Sequence, residues 1–167
     1  VPSIGVFGIC LRGKAGWGEN MTLITPMVNA HGGQWFDMDW RAQLTSAAWQ
    51  EAVGLYVQLM RDYGPPGAAA NGYNENLTLF SEGHCALWVD ATVAGAFVNN
   101  PKLSRVAGQV AFAQAPVAKT AKGSHWLWAW ALAIPASTKH EATAQAFVRW
   151  ATSKAYVRLV AKEFGWG

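Results

Sequence analysis

The chain has 167 residues, with few charged side chains and no long apolar run. Charged residues make up 14% and hydrophobic residues 51%, the reverse of the balance in intrinsically disordered proteins. The longest uncharged apolar run, Trp126 to Ala136, has eleven residues and includes Pro135, whereas a membrane-spanning helix needs about 20. The sequence therefore predicts a folded domain and no membrane-spanning helix within these residues.

Basic residues are not clustered. The net charge of +3 arises from 13 basic and 10 acidic residues that are spread along the chain, and no three Lys or Arg residues stand together. Nucleic-acid-binding surfaces concentrate Lys and Arg on one face, with aromatic residues between them. We therefore expect no nucleic-acid partner.

Motifs for a metal or a cofactor are also lacking. None of the four histidines pairs with another at helical spacing, and only His84 stands next to a cysteine. Side chains of neighbouring strand residues point to opposite faces, so His84 and Cys85 could not share a metal. Gly8 to Ala15 approaches the phosphate-binding pattern G-x-x-x-x-G-K-[ST], but Ala15 lacks the hydroxyl that would hold Mg²⁺. We expect neither a metal nor a cofactor.

Two cysteines, Cys10 and Cys85, are too far apart for a CxxC redox or zinc motif. Their spacing fits two buried thiols as well as a long-range disulfide, which would imply an oxidising compartment. The first residues show no basic segment followed by an apolar one, as a signal peptide would. The chain is thus expected to be a mature protein or a fragment of a longer one.

Strand-like and helix-like segments alternate along the chain, which predicts an α/β fold with a mixed sheet flanked by helices. The expected strands cover residues 4–11, 85–89, 108–115 and 126–134. The expected helices cover residues 19–30, 45–62, 74–81, 91–98, 141–151 and a last segment from 152 or 153. A capping box at 138–141 marks the start of the fifth helix, and its Phe147 and Trp150 are expected to be buried.

Tryptophan is abundant, with ten residues in the chain, and indoles suit either a core or a surface for flat ligands. A sugar or sugar alcohol presents apolar C–H faces to aromatic rings and many hydroxyls to charged hydrogen-bonding groups. Trp17 lies in the glycine-rich loop 13–18, where little local core could bury it, and Glu19 and Asn20 open the next helix. These three residues are candidates for contacts with such a ligand.

Arg12 and Asp90 follow two different apolar strands. Ligands of open α/β sheets bind at the carboxyl ends of strands, so Arg12, Trp17 and Asp90 are expected around one site. Each also has an ordinary interpretation: a solvated Arg12, and Trp17 and Asp90 as caps of the helices that follow them. Trp126 is a further ligand candidate, whereas Trp130 suits the core.

A second function stays open from these residues alone. Glycosidases use two carboxylates about 5 to 10 Å apart in a cleft. Glu19 and Asp90 could form such a pair in a carbohydrate-active hydrolase. The same two groups could equally hold hydroxyls without reacting.

Three segments together resemble the periplasmic solute-binding proteins of bacterial sugar ABC transporters, extracellular solute-binding protein family 1. They are NENLTLFSEGHCALWVDATVA (74–94), VAFAQAPVA (110–118) and WALAIPASTKHEATAQAFVRWATSKAYVRLVAKEFG (130–165). The opening GICLRGKAGWGENM (8–21) is most similar to the branch that binds polyols such as mannitol and sorbitol. The resemblance covers nearly the whole chain.

This resemblance implies a receptor without enzymatic activity, which captures a sugar or sugar alcohol between two lobes and delivers it to a membrane permease. It implies a periplasmic location, or tethering to the outer face of the inner membrane. Residues 1–124 would form most of the second lobe, and residues 125–167 a crossing strand and helices of the first lobe. The missing N-terminal lobe or a second copy of the chain would then be a partner.

The resemblance also implies roles for individual residues. It assigns Asp90 to the ligand turn, and Trp17, Glu19 and Asn20 to the loop and helix that face the cleft. Arg12 and Trp126 follow as further ligand contacts. The strands that carry Cys10 and Cys85 lie side by side in the family, which implies a disulfide between them.

Overall fold

The computed structural model describes residues 5–120, 125 and 127–165. The chain divides into two compact units, Val1–Trp126 and Leu127–Gly167. Within the described ranges, no helix is both long enough and apolar enough to cross a bilayer.

The first unit contains a parallel sheet of two strands, β1 (Phe7–Cys10) and β2 (Cys85–Trp88). Phe7 pairs with Cys85, and Cys10 pairs with Trp88. Because the strands are parallel, the residues that leave their carboxyl ends emerge side by side. Arg12 and Asp90 both lie two residues beyond these ends.

The described residues of the first unit also form four α-helices. They are α1 (Met21–Ala30), α2 (Ala47–Tyr63), α3 (Tyr73–Ser81) and α4 (Ala94–Val98), with a short 3₁₀ turn at Ala68–Ala70. Of these helices, α2 and α3 pack against the strands. The α3 helix begins with the backbone N–H of Gly72 donating to the carboxylate of Glu75 at 2.8 Å. This bond satisfies one of the N–H groups around the helix start that have no partner within the helix.

The core of this unit lies where α1 and α2 pack beside β1. Its buried members are Leu11, Leu23, Ile24, Val28, Trp49, Ala52 and Tyr56. In α2 the buried side chains are thus Trp49, Ala52 and Tyr56, whereas Val57 is half exposed. Tyr56 faces inward because its hydroxyl donates to the backbone carbonyl of Arg12 at 2.6 Å.

The sheet is smaller than predicted. The expected strand at 108–115 is irregular, and so are residues 127–134 of the expected last strand; residue 126 lies outside the described residues. The mixed sheet therefore reduces, in the part of the chain described, to two parallel strands and an isolated antiparallel bridge between Phe36 and Ala42. An apolar run forms a strand only where a neighbour can pair with its backbone, and these two runs have no such neighbour among the described residues.

The second unit contains α5 (Glu141–Ala151) and α6 (Lys154–Phe164). The hydroxyl of Ser153 caps α6 by accepting from the N–H of Tyr156 at 3.1 Å. The expected capping box does not form, since α5 begins at Glu141 and the Thr138 hydroxyl accepts from the N–H of His140 instead.

The apolar side chains of α5 stay accessible, contrary to expectation. Phe147 is 57% and Trp150 49% exposed, although the Trp150 ring lies 4.5 Å from that of Tyr156. No described residue of α5 or α6 is buried. Two helices alone offer too little surface to enclose an indole, so the helical periodicity identified the apolar faces correctly but overestimated their burial.

Candidate functional site

Arg12 lies at the centre of the candidate site, directly beyond β1. Its Nε donates to Oδ2 of Asp90 at 2.8 Å, and its Nη2 donates to Oδ1 at 2.5 Å. A guanidinium that binds both carboxylate oxygens in this way makes one of the stronger polar contacts in proteins. The contact is shielded from solvent, because the side chain of Arg12 is 10% exposed and that of Asp90 only 2%.

The carboxylate of Asp90 has two further donors. The backbone N–H of Ala91 donates to Oδ1 at 2.7 Å, and the indole Nε1 of Trp88 donates to Oδ2 at 3.2 Å. Each oxygen thus accepts two hydrogen bonds, which matches the roughly four lone-pair sites of a carboxylate. Asp90 was predicted from its position at a strand end, and the structure places it in the wall of the site.

The remaining nitrogen of Arg12 faces the glycine-rich loop. Nη1 donates to the carbonyl of Gly18 at 2.6 Å and lies 3.9 Å from Oε2 of Glu19. The guanidinium also lies 5.0 Å from the centre of the Tyr73 ring, within the range of a cation–π contact. We call Arg12, Gly18, Glu19, Tyr73 and Asp90 the Arg12 cluster; it joins the ends of both strands to the starts of α1 and α3.

Two groups of the Arg12 cluster, Arg12 and Tyr73, have pKa values raised above their ordinary values. Burial by itself would lower the pKa of Arg12, but the hydrogen bond and charge of Asp90 and the charge of Glu19 outweigh it, so the pKa is raised. Burial, and then the charge of Asp90, raise the pKa of Tyr73. Arg12 therefore remains a cation, and the phenol of Tyr73 remains neutral.

Glu19 and Asn20 lie at the start of α1. Oε2 of Glu19 accepts from the backbone N–H of Tyr73 at 3.3 Å, which places a negative charge at the amino end of α3. Gly72 permits this approach, since a Cβ atom there would lie 2.6 Å from Oε2 of Glu19. Asn20 is the N-cap residue of α1, but its side chain makes no capping hydrogen bond.

Trp17 is the exposed aromatic residue of the site, with 78% of its surface accessible. Its loop is held at both ends: the N–H groups of Gly13 and Lys14 donate to the carbonyl of Asn71 at 2.8 and 3.0 Å, and the Gly18 carbonyl binds Arg12. The structure therefore brings the Trp17 loop, Arg12, Glu19 and Asp90 together, with Asn20 beside them. Trp126 lies outside the described residues.

Two aromatic residues of this site were missed by the sequence analysis. The ring centres of Tyr73 and Trp88 lie 5.7 Å apart, and the ring centre of Phe80 lies 5.6 Å from that of Trp88. Trp88 ends an apolar strand, and Tyr73 follows a loop of small residues. An aromatic residue at the first position of a helix, directly after a glycine, was the available signal for Tyr73.

Cys10 and Cys85 form a disulfide between β1 and β2, with Cα atoms 5.9 Å apart. Both cysteines are buried. The bridge lies two residues before Arg12 in the chain, so it links the strands close to where the Arg12 cluster begins. No group of three or more His, Cys, Asp or Glu side chains within the described ranges is arranged to hold a metal ion.

Comparison with known proteins identifies the family. The profile of the bacterial extracellular solute-binding proteins matches residues 2–158. The chain belongs to this family. The resemblance expected from the sequence is thereby confirmed, as is the α/β fold of a periplasmic-binding-protein lobe, since solved structures of solute-binding proteins superpose on nearly the whole chain.

Relatives of this solute-binding chain are substantially longer. The mannitol-binding protein of Pseudomonas aeruginosa is 54% identical over 164 residues, which are 98% of this chain and 38% of that protein. An ABC transporter solute-binding protein from Agrobacterium vitis S4, solved with bound D-mannitol, is 53% identical with a TM-score of 0.90, over 99% of this chain and 40% of its own.

A more distant solved relative also matches nearly the whole of this chain with only part of its own length. The ABC transporter solute-binding protein from Agrobacterium radiobacter K84, in complex with ribitol, is 26% identical with a TM-score of 0.83, over 99% of this chain and 41% of its own. The chain thus spans about two fifths of the length of the relatives that it matches.

Proposed function

We propose that this chain is part of the substrate-binding component of an ABC importer, and that it captures a sugar alcohol similar to mannitol. Relatives that are more than half identical are a mannitol-binding protein and a structure with bound D-mannitol. The observation that carries the proposal is an exposed indole, Trp17, on a loop that Arg12 fastens to a shielded polar cluster.

This arrangement suits the chemistry of an alditol. Trp17 offers an apolar face to the C–H groups of the carbon chain. Glu19 and Asn20 offer oxygen and nitrogen atoms to the hydroxyls, and hydrogen bonds to charged groups are about twice as strong as neutral ones. Arg12 and Trp126 complete the proposed set of contacts, and Asp90 supports the set from the wall of the site.

The proposal extends to the whole protein. Residues 1–124 would supply most of the second lobe, and residues 125–167 a crossing strand and helices of the first. Closure of two lobes around a ligand is driven by tighter binding in the closed state. The N-terminal part of the first lobe, or a second copy of the chain, would provide the other wall. A membrane permease would receive the ligand on the periplasmic side.

The geometry does not favour the hydrolase alternative. A glycosidase needs one carboxyl group as a proton donor and another with access to the sugar or to a water molecule. Glu19 and Asp90 instead share one guanidinium, and Asp90 is almost inaccessible, with every acceptor position used. We therefore propose a binding protein without catalytic activity.

Ligand binding by the full-length gene product tests this function. D-mannitol and ribitol should raise its melting temperature, and a panel of nitrophenyl glycosides should show no turnover. Trp17→Ala should weaken D-mannitol binding in calorimetry by about 1–3 kcal/mol, the value of a well-packed aromatic contact. Trp40→Ala is the matched control, since Trp40 is likewise 80% exposed but lies between α1 and α2. Turnover of a glycoside, or no response to either alditol, would contradict the proposal.

A further inference from the structure

We propose that Asp90 is a positioning residue that never touches the ligand, and that it acts through Arg12 on the loop that carries Trp17. This inference rests on the proposed function, because it assigns a role within the same binding site. It changes the role expected for Asp90 from the sequence, where its place at a strand end made it a ligand contact.

The hydrogen-bonding capacity of Asp90 is fully used within the protein. Its oxygens accept from Nε and Nη2 of Arg12, from the backbone of Ala91 and from the indole of Trp88. An ionised carboxylate only accepts hydrogen bonds, at about four sites, so all its sites are taken. A ligand hydroxyl could bind Asp90 only by displacing a donor from a group that is 2% exposed.

Arg12 links Asp90 to the loop that carries Trp17. With Nε and Nη2 held by Asp90, the planar guanidinium has a fixed orientation, and Nη1 then points at the Gly18 carbonyl. Gly18 directly follows Trp17. Both glycines beside this indole, Gly16 and Gly18, have positive φ angles of 145° and 74°. Such backbone has many alternative conformations. The bond to Arg12 helps to select one of them, together with the bonds from the N–H groups of Glu19 and Asn20 to the carbonyls of Gly16 and Lys14.

Removal of the charge of Asp90 leaves Arg12 with a neighbouring carboxylate, that of Glu19. Among the residues that the structure describes, Glu19 is the other carboxylate paired with the guanidinium, and its Oε2 lies 3.9 Å from Nη1. We then expect Arg12 to turn toward Glu19, because a buried charge without a partner is strongly unfavourable. The Gly18 carbonyl would lose its donor, and the Trp17 loop would sample other conformations.

A positioning role and a direct contact make different predictions for deoxygenated ligands. If Asp90 bound one hydroxyl, the analogue without that hydroxyl would bind the wild type and Asp90→Asn equally well. If Asp90 only positions the loop, the substitution lowers the affinity for every analogue by the same factor. Three symmetric dideoxy analogues cover all hydroxyl positions of D-mannitol, because its twofold symmetry makes the positions equivalent in pairs and removing both members of a pair leaves no equivalent hydroxyl in either orientation.

The experiment uses the full-length gene product and two readouts. Without ligand, hydrogen exchange of the backbone amides at 13–20 should become about tenfold faster in Asp90→Asn, as the loop loses its anchor. Calorimetry should show about tenfold weaker binding of D-mannitol and the same factor for all three analogues. Asp62→Asn, at the exposed ion pair with Arg61, is the matched control and should change neither readout.

Each outcome is decisive. Unchanged exchange in the loop, or an analogue that binds both proteins equally, would overturn the positioning role. If the wild type binds no alditol, the proposed function fails, while the exchange experiment still tests the link from Asp90 to the loop. Should Asp90→Asn not fold, Arg12→Lys replaces it in the ligand-free exchange experiment, because an ammonium keeps the charge but cannot bind both carboxylate oxygens and Gly18 together; exchange at 13–20 as slow as in the wild type would then overturn the positioning role.

Discussion

The disulfide between Cys10 and Cys85 allows a quantitative prediction of stability. It connects residues 75 positions apart, so it removes a large loop-closure entropy from the unfolded chain. The chain-entropy relation gives about 4.5 kcal/mol at 25 °C for a loop of this length. Because domains are stable by only about 5–15 kcal/mol, loss of the bridge should consume a large share of the free energy of unfolding.

The perturbation is the double substitution Cys10→Ala and Cys85→Ala in the full-length protein. Equilibrium urea unfolding, followed by circular dichroism, should show a lower midpoint and a free energy of unfolding reduced by about 4 kcal/mol. A reducing agent should destabilise the wild type by a similar amount and leave the double variant unchanged. This last comparison separates the bridge from the lost packing of two buried side chains.

Two results would refute this reasoning. A count of two free thiols by mass spectrometry of the unreduced protein would remove the bridge altogether. Alternatively, the double variant could unfold at the wild-type urea concentration, which would show that the unfolded state gains no freedom when the bridge is absent. A midpoint shift in the variant without a matching effect of the reducing agent would assign the loss to packing.

Two further predictions concern the Arg12 cluster and its neighbours. Gly72→Ala should displace Glu19 from the start of α3 and lower the free energy of unfolding by about 1–3 kcal/mol, and it should weaken D-mannitol binding in calorimetry. Its control is Gly54→Ala in the open interior of α2, which should raise the free energy of unfolding in urea by about 0.5–1 kcal/mol. Burial raises the pKa of Tyr56 above its ordinary value of 10.0. The contribution of Tyr56 to the free energy of unfolding should therefore be fully present below pH 10. It should fall as the pH rises toward the pKa of the folded state, since only the unfolded chain then releases the proton. Tyr56→Phe should flatten this alkaline decline in urea midpoints, and an equal slope in both proteins would contradict the assignment.

The proximity of Arg12 and Asp90 was predictable because it follows from strand direction. Two apolar runs, each followed two residues later by a charged residue, needed only parallel pairing to bring Arg12 and Asp90 together. The role of Asp90 was not predictable in this way. Its four donors come from two strand ends, and their convergence depends on the strand register and on the orientation of the Trp88 ring.

The predictions of two strands and of a buried Trp150 were wrong for related physical reasons. The runs at 108–115 and 126–134 have the composition of strands, but a strand exists only with a partner, and partners are distant in sequence. Trp150 has the periodicity of a buried residue, but burial depends on the surface that faces its helix. Tyr73 has a local signal in its place at the start of a helix after a glycine, but its proximity to Arg12 depends on how α3 packs against the strand ends, which no local pattern predicts.

The disulfide and the Arg12–Asp90 pair join the same two strands but act on different states of the protein. The bridge restricts the unfolded chain, so its contribution belongs to stability. The ion pair exists only in the folded state, where it fixes the direction of a guanidinium and, through Gly18, the loop of Trp17. Since the strand ladder already pairs Cys10 with Trp88, the bridge is not needed to bring Arg12 beside Asp90. Preorganised loops bind more tightly because less entropy is lost on binding, so the ion pair, rather than the bridge, should control the affinity of the site.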